Sequence, residues 1–416
     1  MTTVGIIAEY NPLHNGHVHH FTEAKKLSGA DSTVVVMSGP FTQRGEPAAV
    51  SKQARTEMAL HMGADLVIEL PVAYALQPAE WFAFGAVALL EATGVVDSLC
   101  FGSEAGTLGA LLPLAGFLAE ESSALQEEIR WRMAQGTSFP AAYSAAAAAA
   151  WEAALAEADV DKDSIPDAGI LLRQPNNSLG LHYLIALRRL GSSISPLTVP
   201  RTGAGFHDPV REGSSIASAT AIRRLLQDGG SPDLYMPEYS VSILEREHAA
   251  GRGPLGLEDF RIPLRHVLST RSASELRSLH DMNEGLENRL LRVLPELPEF
   301  TVSGLLQALK SKRYTHTRLQ RLLLHALLNH NEQEMTPARL AQGPAYIRVL
   351  GFRAGGRKLL KQMKQSASLP VIMSPAQLSH PMLQLDLQAA SVYAGAYDHP
   401  LRSDLYADYL QPPVMV

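Results

Sequence analysis

A single cysteine, Cys100, stands in the 416 residues. One thiol closes no disulfide within the chain and builds no multi-thiolate zinc site, and a reducing compartment suits it. An uninterrupted membrane-length apolar run is also missing. The most apolar window, Val72 to Val96, is broken by Gln77, Glu80 and Glu91, whereas a spanning helix needs roughly 20 apolar residues. The first residues hold neither a basic nor an apolar leader segment, so no secretory signal is expected. A cytoplasmic protein with no membrane partner and no obligate protein partner is the resulting expectation. The net charge of −6 excludes a uniformly basic nucleic-acid binder, so any polyanion site has to be local.

What is present is alternation. Short β-branched runs recur: VGIIA from Val4, STVVVMS from Ser32, ADLVIEL from Ala64, DSLCF from Asp97 and AGILL from Ala168. Between them lie segments of helical period, His17 to Leu27, Lys52 to Met62 and Trp81 to Ala92. This pattern predicts an α/β fold, a doubly wound parallel sheet covered on both faces. The alanine tract Ala141 to Glu157 reads as a packed helix, because alanine has the best helix propensity and Trp151 gives it a residue to bury. Glycine and proline punctuate HAAGRGPLG, His248 to Gly256, and strand-like runs thin out beyond it. Two domains are therefore expected, residues 1–248 and a mostly α-helical, locally basic part, residues 249–416.

The second part changes its electrostatics. Between Thr301 and Lys364 stand Lys310, Lys312, Arg313, Arg318, Arg321, Arg339, Arg348, Arg353, Arg357, Lys358, Lys361 and Lys364, against only Glu332 and Glu334. A local positive surplus suits a phosphate backbone, although a solvated helix face has the same composition.

Behind the first strand comes NPLHNGHVHH, Asn11 to His20. Its position marks the carboxyl edge of a strand, where open α/β sheets place ligands. A helix starting near His17 offers free N–H groups and a positive dipole end to an anion, Gly16 permits close approach, and the histidines can donate to phosphate oxygens. Metal ligation by His14, His17, His19 and His20, or simple capping, are the alternatives.

HNGH resembles the H-x-G-H signature of the HIGH superfamily of nucleotidyltransferases and class I aminoacyl-tRNA synthetases. ASATAIR, Ala217 to Arg223, resembles that superfamily's later S-x-T-x-I-R motif. With MSGPFTQRGEPA, DLVIELP, FGSEAG, QPNNSLGLHYL, PRTGAGFHD and KRYTHTRLQRLLLHALL, the pattern is similar to one family, the bacterial tRNA(Met) cytidine acetate ligases. The resemblance implies a HIGH-type, Rossmann-like nucleotidyltransferase fold. It also implies activation of acetate with ATP to acetyl-adenylate and transfer of the acetyl group to N4 of the wobble cytidine of elongator tRNA(Met). By that resemblance the ATP contacts fall on Ile7, Ala8, Glu9, Tyr10, Asn11, Pro12 and Leu13, on His14, Asn15, Gly16, His17, Val18, His19 and His20, and on Gly102, Asn176 and Arg201. SKQART, Ser51 to Thr56, departs from the family's aspartate–lysine start while keeping Lys52 and Arg55.

The chemistry asks for little else. An acid carboxylate attacks the α-phosphate itself, so no protein nucleophile is required, and the chain carries no G-x-S-x-G elbow. Donors to the phosphates are expected from His14, His17, Lys52, Arg55 and Arg201. Ser218, Thr220 and Arg223 open a helix and offer a second phosphate cradle. Magnesium is expected with ATP, without a nameable acidic cluster to ligate it. Asp208, His207 and Glu9 are candidates to take the amine proton only through nearness to motifs. For tRNA, the leucines of KSKRYTHTRLQRLLLHALL would pack inward and leave Lys310, Lys312, Arg313, Arg318 and Arg321 for phosphates, with Tyr314 either stacking on a base or packing. GFRAGGRK adds Arg353, Arg357 and Lys358 beside glycines. The competing functions are a small-molecule adenylyltransferase of the same superfamily and a non-catalytic RNA-binding protein on a decayed nucleotide fold.

Overall fold

Eight strands form one sheet in the computed structural model, which describes residues 2–157, 167–201 and 215–416. They are β1 (Thr3–Ala8), β2 (Ser32–Ser38), β3 (Leu66–Leu70), β4 (Ser98–Ser103), β5 (Ser195–Pro200), β6 (Ile347–Phe352), β7 (Val371–Ile372) and β8 (Val414–Met415). The order is β5-β4-β1-β2-β3-β6-β7, with β8 also on β6. β1 to β5 run parallel, and β6 lies antiparallel to β3.

Both faces are covered, which is why the strands read as continuous apolar runs. Alternate residues of β2 enter separate cores: Val34 and Val36 pack toward the helices Ala79–Thr93 and Pro175–Arg189, and Val35 and Met37 toward α1 (Asn15–Ser28) and α2 (Lys52–Met62). The alanine tract is a helix, Phe139–Glu157, whose Trp151 ring lies 5.4 Å from that of Phe117. No helix among the described residues is long and apolar enough to cross a membrane.

Two expectations change. AGILL is not a strand but the helix Ala168–Arg173, because Asp167 caps it, its Oδ1 accepting from Gly169 N at 2.6 Å and Ile170 N at 3.2 Å. A short apolar run does not by itself distinguish strand from helix, and the fifth parallel strand is β5 instead. Nor does the sheet stop at residue 248: β6, β7 and β8 all come from beyond it and extend the edge at β3. The two sequence parts share a single sheet.

Buried charge fastens that junction. Lys52 Nζ, 2% exposed, lies 2.7 Å from Glu69 Oε1 and 2.8 Å from Asp408 Oδ2. Arg348 reaches Glu69 at 3.1 Å and Asp408 at 3.0 Å. Two cations and two anions close a neutral set away from water, the arrangement in which buried charges are tolerated. Lys52→Met leaves two carboxylates facing one cation. We expect this substitution to destabilise the protein by about 3–5 kcal/mol, read as a lowered melting temperature in calorimetry; a melting temperature unchanged from wild type would contradict it.

Candidate active site

β1 has β2 on one side and β4 on the other, so the connections reverse direction beside it. At such a switch point the carboxyl ends of the strands splay apart and leave a crevice. A cavity of about 550 Å³ lies here, reaching from Ile7, Ala8 and Glu9 across to Gly102 and Arg201.

The turn from β1 into α1 fixes two imidazoles. His14 is the N-cap, and its Nδ1 accepts from Gly16 N at 3.1 Å. His17 Nδ1 accepts from His14 N at 3.3 Å. Since each Nδ1 is an acceptor, each neutral ring carries its proton on Nε2. The rings sit 3.8 Å apart. Burial, reinforced by Arg201 and Arg223, pushes His14 down to about 3, and burial beside His14 and His20 holds His17 well below its ordinary value. Both are therefore neutral N–H donors near neutral pH. Capping and phosphate binding are compatible readings of these residues, because one edge of each ring caps the helix while the other is left for a ligand. Gly16 has a local reason too: a Cβ there would meet His14 Cε1 at 2.8 Å.

A second helix start faces the first. Ser218 caps Ala219–Gln227, its Oγ accepting from Ala221 N at 3.2 Å. Arg223 donates to Asn11 O at 2.9 Å and to Glu46 Oε2 at 2.7 Å. On the β4–β5 side, Arg201 donates to Asn176 Oδ1 at 3.0 Å, and Glu104 holds Asn176 through its backbone N at 3.1 Å and its Nδ2 at 2.6 Å. Gly102 keeps the floor open between Arg201 and His20, where a Cβ would already touch both.

Most of the sequence-derived ATP residues line this cavity. Ile7 through Asn11, His14, Gly16, His17, His19 and His20 do so, as do Gly102, Asn176, Arg201, Ser218, Thr220 and Arg223. Pro12, Leu13, Asn15 and Val18 do not. Pro12 and Leu13 are buried beneath the turn, Asn15 Nδ2 donates to Ser215 O at 2.9 Å and Leu234 O at 3.1 Å, and Val18 packs on the α1–α2 core. Glu9 is an anchor: its Oε1 accepts from Gln43 N at 2.7 Å and Ser38 Oγ at 3.3 Å, and burial raises its pKa. His207 and Asp208 lie outside the described residues.

Lys52 and Arg55, expected at the phosphates, are absent from the cavity wall. Lys52 belongs to the buried charge set. Arg55 is fully buried and spends its donors on carbonyls, with Nη1 on Glu9 O at 2.7 Å and Ser38 O at 3.0 Å, Nε on Val50 O at 3.2 Å, and Nη2 on Gly39 O. Both side chains start on α2 and turn inward. Ser51 explains the departure in SKQART: it caps α2, its Oγ accepting from Ala54 N at 3.1 Å, a role a carboxylate fills equally.

The basic residues of the second part divide. Lys310, Lys312 and Arg313 are exposed, and Arg313 pairs with Glu284 at 2.9 Å. Arg318 lies 3.4 Å from Glu284 and 5.1 Å over the Tyr314 ring. Tyr314 is buried, so it packs and offers no open face for a base. Arg321 is buried and belongs to the cavity wall. Arg353, Arg357 and Lys358 start the helix Ala354–Ser366 at the opposite, amino edge of β3, where Arg353 N donates to Asp65 O at 2.9 Å. The adjacent glycines admit protein, not RNA: a Cβ at Gly356 would stand 2.1 Å from Asp65 O. Sequence reasoning missed Gln43, Arg44, Glu46 and Thr317 on the cavity wall. They fall in MSGPFTQRGEPA and in the Lys310–Leu328 segment.

A family model described as HIGH Nucleotidyl Transferase matches residues 1–406. The tRNA(Met) cytidine acetate ligase of Caldanaerobacter subterraneus subsp. tengcongensis is 40% identical over 419 residues, covering 99% of each chain. That of Bacillus licheniformis is 40% identical over 410 residues, covering 97% of this chain and 95% of its own. The crystal structure of Thermotoga maritima TmcAL bound with alpha-thio ATP superimposes with a TM-score of 0.89 at 33% identity over the whole of both chains. With the paired helix starts at the switch point, these likenesses show that the chain belongs to the tRNA(Met) cytidine acetate ligase family of HIGH nucleotidyl transferases.

Proposed function

We propose that the chain is a cytoplasmic ATP-dependent ligase that activates acetate as acetyl-adenylate and acetylates N4 of the wobble cytidine of elongator tRNA(Met). The observation that carries this reading is the pair of helix starts facing each other across one cavity, with neutral His14 and His17 on one side and Ser218, Thr220 and Arg223 on the other. A triphosphate between them meets oriented N–H groups and cations that need no reorganisation as charge builds.

In the first step an acetate oxygen attacks the α-phosphorus and the bond to pyrophosphate breaks. His14 and His17 donate from Nε2 to oxygens gaining charge, while Arg201 and Arg223 stabilise the polyanion. Gly102, Asn176 and Arg201 bound the space left for the nucleoside. In the second step the cytidine amine attacks the acetyl carbon, AMP leaves, and the amine loses a proton. Glu9 holds Gln43 and Glu46 holds Arg223, each through one carboxylate oxygen. Magnesium bound with ATP would be held by the phosphates and would offset their charge. Lys310, Lys312 and Arg313 are exposed on the segment that leads into the helix contributing Thr317 and Arg321 to the cavity, and they are assigned to tRNA phosphates.

Incubation with ATP, labelled acetate and bulk bacterial tRNA, followed by nuclease digestion, should yield labelled N4-acetylcytidine; an unlabelled nucleoside pool would refute the acceptor. His17→Ala is expected to lower acetate-dependent ATP–pyrophosphate exchange by about 10²–10³-fold while tRNA affinity stays at the wild-type level, and an equal loss of tRNA binding would refute the division of labour. The histidines also set a pH dependence. Below the ordinary histidine value of about 6.5, the unfolded chain takes up protons that native His14, held to about 3, does not, so stability falls as pH drops through that window. Asparagine retains a capping acceptor. The melting temperature of the ligand-free wild type should therefore fall more between pH 7 and pH 5 than that of His14→Asn, and parallel curves would contradict the assignment.

A further inference from the structure

One cation on the cavity wall is left without an acceptor on most of its donors. Arg321 lies on the helix His316–Leu327 and is 8% exposed. Its Nη1 donates to Gln43 O at 3.3 Å, its Nε is buried with no partner, and Nη2 makes no hydrogen bond among the described residues. Asp281 is the opposite charge that acts on it, and no ion pair joins the two. The other guanidiniums whose partners are established here, Arg55, Arg201 and Arg223, are each answered by carbonyls, an amide or a carboxylate.

The backbone around Arg321 is set with care. Residues Thr42 to Glu46 form a tight turn, with Thr42 N donating to Glu46 O at 2.9 Å and Gly45 N to Thr42 O at 2.9 Å. Gly45, at φ 77°, lies flat on the helix, and a Cβ there would stand 2.4 Å from Arg321 N. The same turn holds Glu9 through Gln43 N and Arg223 through Glu46. Arg321 is thereby fixed on the β2 side of the histidine pair, across β1 from Gly102 and Arg201.

Nε is enclosed, so the donor left for a ligand is Nη2, which has no partner and is not shut off from the cavity that Arg321 lines; a carboxylate oxygen is an acceptor that suits it. A buried guanidinium without a counter-charge is costly, and a carboxylate ligand removes that cost. We propose that Arg321 binds the carboxylate of the acid that becomes adenylylated, an assignment that rests on the acetate-ligase reading. This contact orients the acid beside the α-phosphate and leaves oxygen lone pairs for attack. When the new P–O bond forms and pyrophosphate departs, the acid loses its charge to the mixed anhydride, so the ion pair holds the substrate and not the product. The cation that charge counting assigns to RNA thus serves the small acid.

The test is acetate-dependent ATP–pyrophosphate exchange without tRNA, on wild type, Arg321→Lys and Arg321→Met. Lysine keeps the charge and loses the guanidinium's directed N–H groups. The acetate KM of Arg321→Lys should rise about 10–100-fold, Arg321→Met should fail to saturate with acetate, and the ATP KM of both should stay near wild type. Should Arg321→Met fail to fold, Arg321→Lys with its melting temperature carries the test. Unchanged acetate KM with weakened tRNA binding would give Arg321 to an RNA phosphate, and unchanged acetate KM with a raised ATP KM would give it to the nucleotide; either overturns the assignment. A wild-type protein that exchanges pyrophosphate without regard to acetate would overturn the acetate reading itself, a result distinct from failure of the Arg321 variants.

Discussion

Arg55 donates to the carbonyls of Glu9 and Ser38, where β1 and β2 hand over to the cavity loops, and to that of Val50 at the approach to α2. Burial brings its pKa down to about 10, still charged at neutral pH. Remove it and the loop ends carrying Glu9 and Gly39 lose their common anchor. Three residues earlier on the same helix, hence on the same face, Lys52 ties β3 to Asp408 near the chain's end. The geometry of the cavity depends on these two inward-turned cations, neither of which touches it.

Around that frame the cavity is electrostatically one-sided. Arg44, Arg201, Arg223 and Arg321 all line it, and the carboxylates Glu9 and Glu46 are committed to holding the wall. Neutral histidines at the centre avoid the repulsion that two further cations would add, yet they still donate. The Thr42–Glu46 turn connects all three sources of the site: the β1 end through Glu9, the second helix start through Arg223, and the helical part through Arg321. The cavity wall is consequently not confined to the first 248 residues.

The sequence was legible where local rules govern. β1 to β4 are buried on both faces and read as apolar runs, and the two helix starts announce themselves through HNGH and ASATAIR. AGILL misled because five apolar residues fit either state, and the capping Asp167 decides it. β5 was passed over because SPLTVP carries two prolines and is only partly buried. β6 hid inside the basic count, its Arg348 reading as surface charge although it is buried beside two carboxylates. Lys52, Arg55 and Arg321 were misplaced for a shared reason: residue type alone does not say which way a helix faces, and only the three-dimensional packing turns these side chains inward.

The link between Lys52 and Asp408 also orders events on the ribosome. The partners are 356 residues apart, so at about 5–20 residues per second the lysine waits roughly 20–70 s for its second carboxylate to be made. Until residues 347–352 have been made, β3 has no β6 beside it, and an apolar edge stands open to other chains. The sheet of the nascent first part therefore stays open at β3 until the later strands join it.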